Sequence, residues 1–202
     1  MPGLLLLLPV AYLVGSFPTA ALVGRVTGHD VLTEGSRNPG ASNVYRLAGW
    51  KAGLIVFVGD FAKGAVPAAV GLVIDGHRGA FLLGFAAVIG HVLPITFRFR
   101  GGRGVATAGG VLAVIYPLIA LGLALLWFVI ARGFKKASVA SIVITVAFPV
   151  LVAATGNSWG DILITSGLAL VILARHVPNL RRLVRGEEHG LGPEPPGGSV
   201  SE

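Results

Sequence analysis

Long apolar runs recur along this chain, and they constrain its fold more than any other feature. They cover approximately residues 4–26, 52–74, 80–97, 105–131, 137–153 and 162–173, with short polar stretches between them. A run of about 18 or more apolar residues is long enough to cross the hydrocarbon core of a bilayer as a helix. The sequence therefore predicts an all-α, polytopic membrane protein.

The composition agrees with this fold class. The 202 residues are 54% apolar and only 12% charged, whereas about a quarter of the residues of a soluble domain are charged. The absence of cysteine excludes a disulfide-built module and any thiol nucleophile. At this length one domain is expected. We predict that residues 1–189 form it and that residues 190–202, rich in glycine, proline and serine, are a disordered tail.

The basic residues predict an orientation in the membrane. Almost all of the 16 Lys and Arg residues lie in loops near 25–51, 98–103 and 132–136 and in the C-terminal segment 175–185. Short cytoplasmic loops collect such residues, whereas external loops do not. We therefore expect these four regions to be cytoplasmic and the short turn at 75–78 to lie outside, with the amino terminus outside and the carboxyl terminus inside.

This orientation requires the run 105–131 to enter the membrane and return to the same side. Tyr116 and Pro117 supply a break near its middle. Half of the run spans only about 20 Å as a helix, against a hydrocarbon core of about 30 Å, so the two halves are predicted to be short or re-entrant. With the first run retained and kinked at 15–18, the chain has about seven transmembrane helices.

The first polar loop, residues 34–46, has a composition that suits an anion. Gly35 and Gly40 permit positive φ and close backbone approach. Hydroxyl and amide side chains can bind an anion together with backbone N–H groups. The loop offers four of them: Ser36, Asn38, Ser42 and Asn43. A helix that begins near Ser42 would place Arg46 one turn further on, facing the same phosphate. The alternative is a simple turn followed by an arginine whose only role is to keep this loop on the cytoplasmic side.

The second polar loop joins three arginines to a glycine cluster that opens the next helix. The arginines are Arg98, Arg100 and Arg103, and the glycines are Gly101, Gly102 and Gly104. Glycines followed by a helix start favour anion binding, although the spacing of a Walker motif is absent. The alternative is a basic loop whose arginines only keep it on the cytoplasmic side of the membrane.

The third cluster follows the last apolar run and extends over residues 175–188. His176 and Asn179 lie near the cytoplasmic interface, but Pro178 is predicted to interrupt the helix between them. The basic side chains further along, Arg181, Arg182 and Arg185, are better explained as an interfacial helix at acidic lipid headgroups.

One ionisable pair lies inside the second apolar run. Asp60 and Lys63 are three residues apart, and charges at this depth are costly unless they are paired or face a polar cavity. A mutual ion pair and a transport pathway are both open. A single pair without another intramembrane carboxylate makes a poor proton or cation relay.

Several kinds of catalysis lack their sequence signatures. The chain has no G-x-S-x-G and no H-E-x-x-H, and its histidines are scattered, so we expect no metal and no cofactor. What remains is three clusters of glycine, hydroxyl, amide and cation that suit phosphorylated substrates. In group transfer such substrates would bring the leaving group, while the protein supplies orientation and electrostatic stabilisation. We expect membrane lipids but no nucleic acid as partners, and a monomer.

Taken together, the three clusters resemble the bacterial membrane acyltransferases that use acyl-phosphate to acylate glycerol 3-phosphate. The first loop is similar to the family's G-S-x-N-x-G-[AS]-[TS]-N-x-x-R, starting at Gly35. The second is similar to G-H-x-x-P followed by G-G-K-G-V-A-T, starting at Gly90 and Gly101, with Arg103 in place of the lysine. The third is similar to R-H-x-x-N-x-x-R-L, starting at Arg175. Asp60-x-x-Lys63-Gly64 also fits the family's second helix.

The resemblance implies seven membrane helices, an active site at the cytoplasmic face of the bacterial plasma membrane, and lysophosphatidate as the product. It implies that the phosphate groups lie among Ser36, Arg46, Arg103, His176 and Asn179. It also implies that four glycines give the substrates access to the backbone: Gly40, Gly101, Gly102 and Gly104. Ser138 and Ser141 match a less specific serine pair at the start of a later helix. In this family the glycerol hydroxyl attacks the acyl carbon directly and a substrate phosphate accepts its proton.

Two other functions fit the same loops. One is a membrane transporter or binding protein for an organic phosphate, which internal repeats would favour, and we find no convincing repeat. The other is a lipid-binding membrane scaffold.

Overall fold

Residues 2–192 are described by a computed structural model, and every regular element among them is helical, which confirms the all-α prediction. A short 3₁₀ turn at Ile95–Phe97 lies between the third and fourth helices. The seven α-helices are α1 (Pro2–Gly15), α2 (Thr19–Val26), α3 (Ala41–Val92), α4 (Val105–Ile115), α5 (Pro117–Phe134), α6 (Ala137–Ala154) and α7 (Trp159–Val184).

Five stretches within residues 2–192 are long and apolar enough to cross a membrane. They are Gly3–Val26, Ala41–Phe97, Pro117–Phe134, Ala137–Ala154 and Trp159–Val184. The first contains the predicted kink, because the chain leaves α1 after Gly15 and re-enters a helix at Thr19. The Ser16 hydroxyl is buried there and donates to the Tyr12 carbonyl at 2.9 Å and to the Gly90 carbonyl at 3.3 Å. The polar side chain at the break is thus satisfied inside the protein.

Helix α3 is interrupted twice. At Gly49 the backbone turns with a φ of 83°, and at Asp75 and Gly76 it leaves helical geometry again. The segments 50–74 and 77–92 then fold back on each other, so closely that a Cβ on Gly71 would overlap the carbonyl of Gly79. This confirms the turn predicted near residue 75.

The run 105–131 divides at Tyr116 as expected, with Pro117 in the first turn of α5. The missing N–H of a proline costs nothing at that position. Helix α4 has 11 residues and a length of about 16 Å, which agrees with the predicted short half. The prediction is wrong for α5, whose 18 residues give about 27 Å, because the helix continues past the apolar run to Phe134.

Close backbone contacts fix α4 against the segment 50–74. A Cβ on Gly64 would overlap the Thr107 carbonyl, and one on Gly110 would overlap the Phe61 carbonyl. Small residues allow membrane helices to approach in this way. The start of α4, and the loop before it, are thereby held at a fixed position relative to α3.

Helix α7 continues without interruption to Val184 with Pro178 inside it, so the predicted break at this proline is wrong. A proline removes a single backbone N–H, and the helix is held on both sides of it by the buried side chains of His176 and Asn179. These two residues therefore share one face of a continuous helix.

The beginning of the predicted tail is hydrogen-bonded. The Gly190 carbonyl accepts from Arg46, and the Leu191 N–H donates to the Lys135 carbonyl at 2.6 Å. Most of the predicted disordered segment, residues 193–202, lies outside the described residues.

Candidate functional site

A cleft of about 430 Å³ lies at the end of the bundle where the loop before α3, the loop before α4 and the end of α7 meet. Five of the predicted site residues line it: Ser36, Asn38, Gly101, Arg103 and Asn179. The structure therefore brings the three sequence clusters together. No acidic residue of the described chain lines the cleft. Five arginines do: Arg37, Arg100, Arg103, Arg175 and Arg182.

Asn43 organises the first loop from inside the protein. Its amide group donates to the carbonyls of Val31 and Glu34, both at 3.2 Å, and its carbonyl oxygen accepts from the Ser36 N–H at 2.8 Å. The Arg46 guanidinium donates to the same oxygen at 3.1 Å. Asn43 is almost completely buried, so it shapes the loop that presents Ser36 to the cleft.

Arg46 lies beside the cleft rather than in its wall. Helix α3 begins at Ala41, as expected, and this places Arg46 one turn inside it. Its guanidinium also donates to the Gly190 carbonyl at 2.7 and 3.3 Å. Ser42 and the N-cap residue Gly40 likewise lie outside the cleft wall.

The glycine loop before α4 is held from two sides. The Gly102 N–H donates to the His91 carbonyl at 3.1 Å, while the Arg175 guanidinium donates to the carbonyls of Gly101 at 2.8 Å and Gly102 at 3.3 Å. Gly104 caps α4 with a φ of 88°, a conformation that favours glycine. No side chain caps this helix, so its first N–H groups are free for an anion.

Arg103 follows the two glycines directly. The pKa of Arg103 is lowered to about 10, mainly because burial disfavours the charged form, and nearby guanidinium groups lower it too while the Glu188 carboxylate opposes them. The side chain still carries its positive charge at neutral pH. A guanidinium group in such surroundings interacts strongly with anions.

His176 is fully buried in α7, and one of its ring nitrogens is committed. Nδ1 lies 2.8 Å from the Ile172 carbonyl, which can only accept, so Nδ1 carries the proton. Nε2 is buried without a hydrogen-bond partner. A neutral His176 can therefore only accept at Nε2, and only an imidazolium can donate there to a phosphate oxygen.

Asn179 lies one turn further along α7 and connects the cleft to Glu188. Its amide group donates to the Glu188 carboxylate at 2.6 Å, and its carbonyl oxygen is buried without a hydrogen-bond partner. Arg182 donates to the other carboxylate oxygen at 2.8 Å. Burial raises the pKa of Glu188, but hydrogen bonds, chiefly from Asn179, and the charge of Arg182 outweigh it, so the pKa lies below its ordinary value.

Ser138 and Ser141 are buried but do not line the cleft. The Ser141 hydroxyl accepts from the Trp127 indole at 3.0 Å. Ser138 lies close to Glu188 and contributes to the lowered pKa of that carboxyl. Within residues 2–192, no three His, Asp or Glu side chains come together in a group that could hold a metal ion.

Part of the cleft wall was not predicted from the sequence. Arg175, Pro178 and Arg182 line it together with the predicted Asn179, and the spacing of these four residues is that of one helix face. The expected break at Pro178 concealed this pattern. Arg100, one of the three arginines of the second polar loop, also lines the cleft.

Comparisons with known proteins agree on one family. A family model described as glycerol-3-phosphate acyltransferase matches residues 5–186. Proteins named glycerol-3-phosphate acyltransferase from Syntrophotalea carbinolica and Methylococcus capsulatus are 37% and 39% identical to this chain. The alignments cover 94% and 95% of the chain and 98% of each relative.

The fold is also similar to solved structures. Two crystal structures of PlsY, an integral membrane glycerol 3-phosphate acyltransferase, superpose on this chain with TM-scores of 0.90 and 0.87 at 35% identity. Each match covers 94% of this chain and 96% of the other. They represent the glycerol 3-phosphate form and the lysophosphatidic acid form.

We expect Glu188→Gln to lower the free energy of unfolding by about 2 kcal/mol at pH 7, because it removes charge-assisted hydrogen bonds from a buried group. The folded-state pKa is lowered from 4.5, so this contribution is present above about pH 4.5 and is lost as the pH falls through the folded-state value. Thermal unfolding in detergent between pH 7 and pH 3.5 should therefore show the gap between wild type and variant closing on acidification. The control is Glu187→Gln at the exposed neighbouring residue. A pH-independent gap would contradict this assignment.

Proposed function

Since the chain belongs to the glycerol-3-phosphate acyltransferase family, we propose that it moves a fatty acyl group from acyl-phosphate to the sn-1 hydroxyl of glycerol 3-phosphate. The products are lysophosphatidate and inorganic phosphate. The coarser activity, acyl transfer to glycerol 3-phosphate by an integral membrane enzyme, is that of the family. The donor, the product and the residue roles are our proposal.

The observation that carries the proposal is the charge of the cleft wall. Five guanidinium groups and no carboxylate line it within residues 2–192. Both proposed substrates carry a phosphate group with up to two negative charges, and arginine binds phosphate strongly through paired hydrogen bonds. A cleft for two phosphorylated molecules at once needs such an excess of positive charge.

The proposed chemistry needs no nucleophile from the protein. The glycerol 3-phosphate hydroxyl oxygen forms a bond to the acyl carbon, and the bond from that carbon to the phosphate oxygen breaks. The hydroxyl proton passes to a substrate phosphate oxygen, so inorganic phosphate leaves. Arg103 and the first N–H groups of α4 stabilise the negative charge that develops on the leaving group, and Ser36 donates a hydrogen bond that orients a phosphate.

His176 and Asn179 have a distinct role in this proposal. Both have a buried polar atom without a protein hydrogen-bond partner, Nε2 in one and the side-chain carbonyl oxygen in the other. Buried polar groups are normally satisfied. We assign these two acceptors to hydroxyl groups of the glycerol backbone, with His176 in its neutral form.

The two PlsY structures support the proposed substrate and product, because one is the glycerol 3-phosphate form and the other the lysophosphatidic acid form. The organic-phosphate transporter and the lipid scaffold have no comparable support. They become outcomes of the test below.

We also propose seven crossings in a bacterial plasma membrane, with the cleft on the cytoplasmic side. The stretch Ala41–Phe97 folds back at Gly76 and would cross twice, and α4 would add one short crossing. This arrangement leaves the amino terminus outside and the carboxyl terminus inside. We keep the proposals of one domain over residues 1–189 and of a monomer.

The donor test uses purified protein in lipid with glycerol 3-phosphate, and offers acyl-phosphate, acyl-CoA or acyl-carrier protein separately. We expect lysophosphatidate from acyl-phosphate alone. Ser36→Ala should lower turnover at least 100-fold without changing the unfolding temperature, because it removes a phosphate contact and nothing from the core. Ser166→Ala, the same change in α7 away from the cleft, should retain wild-type turnover.

Folded wild-type protein that makes no product from any donor would contradict the proposal. Uptake of glycerol 3-phosphate into vesicles by such protein would favour the transporter. Equal turnover by wild type and Ser36→Ala would remove the assigned role of this serine.

The topology test exploits the absence of cysteine from the chain. We expect Arg78→Cys to react with a membrane-impermeant maleimide in intact cells and Gly133→Cys to react only after the membrane is opened, since the two residues lie at opposite ends of the bundle. Both positions are exposed, so each should be labelled in detergent. The reverse pattern in intact cells would contradict the orientation.

A further inference from the structure

Three ionisable side chains form a buried cluster next to the cleft but outside its wall. The Lys63 ammonium lies 2.7 Å from the Asp60 carboxylate, and His91 Nδ1 lies 3.7 Å from the same carboxylate oxygen. Each of the three residues is at most 7% exposed. The proposed reaction does not use any of them.

The cluster touches the glycine loop through His91. The His91 carbonyl accepts from the Gly102 N–H, and the imidazole ring lies so close that a Cβ on Gly102 would overlap Nε2. His91 thus contacts Gly102 with both its backbone and its ring. Asp60 and Lys63 are on the segment 50–74, so the cluster joins this segment to the loop.

Arg175 holds the same loop from the other side through the carbonyls of Gly101 and Gly102. These bonds pair two carbonyl oxygens that would otherwise repel a phosphate. The loop is thereby fixed between His91 and Arg175, and Arg103 follows it directly. A small displacement of the loop would move both Arg103 and the first N–H groups of α4.

Packing alone does not fix the His91 ring. A small cavity of about 30 Å³ lies against it and is lined also by Asp60, Lys63, Ser16 and Thr19. This volume is enough for about one water molecule. On that side the ring faces the cavity, and the charged group nearest to it is the carboxylate of Asp60. The ammonium of Lys63 pairs with this carboxylate, as a buried charge at this depth requires.

We propose that His91 is a positioning residue for acyl transfer, and that the Asp60–Lys63 pair orients its ring against Gly102. The inference rests on the proposed function, because its readout is catalysis in the cleft. The cluster acts through the glycine loop and does not touch the substrates. It explains the buried charge pair without a transport pathway.

The experiment compares His91→Ala, His91→Gln and the double variant Asp60→Asn/Lys63→Met, with His77→Ala as the matched control. His77 is exposed at the opposite end of the bundle. For each protein, kcat, the KM for glycerol 3-phosphate, the unfolding temperature and hydrogen exchange at 101–104 are measured in the same lipid or detergent.

We expect His91→Ala to raise the KM for glycerol 3-phosphate at least fivefold, to lower kcat at least tenfold, and to accelerate exchange at 101–104. His91→Gln, whose polar amide can lie beside Asp60 and contact Gly102, should recover kcat to within about threefold of wild type. The double variant removes both charges together and keeps the imidazole but not the carboxylate that orients it, so it should fold and show an intermediate loss. The His77→Ala variant should match wild type.

Kinetic constants of His91→Ala and the double variant within twofold of wild type would overturn the inference. So would a drop in unfolding temperature for both with no change in kinetics per folded molecule, which indicates a purely structural cluster. If His91→Ala does not fold, the double variant and His91→Gln decide by the same criteria. Inactive wild-type protein would overturn the proposed function itself, a result distinct from active protein with insensitive variants.

Discussion

Positive charge that the protein itself does not neutralise is the constraint on which the site depends. Like charges near one another in a partly buried cleft repel more strongly than in water. The protein relieves some of this by directing guanidinium groups at oxygen atoms outside the cleft wall: Arg46 donates to the Gly190 carbonyl, and Arg182 to the Glu188 carboxylate. In the proposed function, the phosphate groups of the substrates balance the remaining charge, so their binding relieves this repulsion.

The membrane-embedded part of the molecule serves this charge arrangement by holding loops in place. Helix α4 is short, yet its glycine contacts with the segment 50–74 are close enough to exclude a Cβ. The uncapped start of α4 and Arg103 consequently have a fixed position relative to α3. Along α7, one continuous face brings Arg175, His176 and Asn179 to the same end of the bundle. A rigid apolar bundle thus supports a polar site made mostly of loop residues and helix ends.

Sequence patterns predicted the fold class, the kink at 15–18, the turn near Asp75 and the break at Tyr116, because hydropathy and Gly or Pro act locally. They failed at Pro178, where the packing of α7 outweighs one missing N–H. They also could not tell Asn43, which shapes a loop from inside, from Ser36, which faces the cleft. Both are polar residues in the same loop, and only tertiary contacts separate their environments.

The contacts of His91 and Arg175 with the glycine loop were equally invisible in sequence. They join residues far apart in the chain through backbone atoms, which carry no residue-specific signal. By contrast, the three motifs alone were enough to find most of the cleft wall, because the glycines and the arginines that follow them occur in short, ordered segments. Sequence therefore located the site, and the structure divided its residues into those that face the cleft and those that position them.

Direct transfer between two bound phosphorylated substrates can be tested by incubating the protein first with acyl-phosphate alone. Intact-protein mass spectrometry and a phosphate-release assay are performed before and after glycerol 3-phosphate is added. We expect no acyl adduct on the protein, and phosphate release only after the second substrate arrives. A stoichiometric acyl adduct with a burst of phosphate before that addition would show a protein nucleophile and contradict direct transfer.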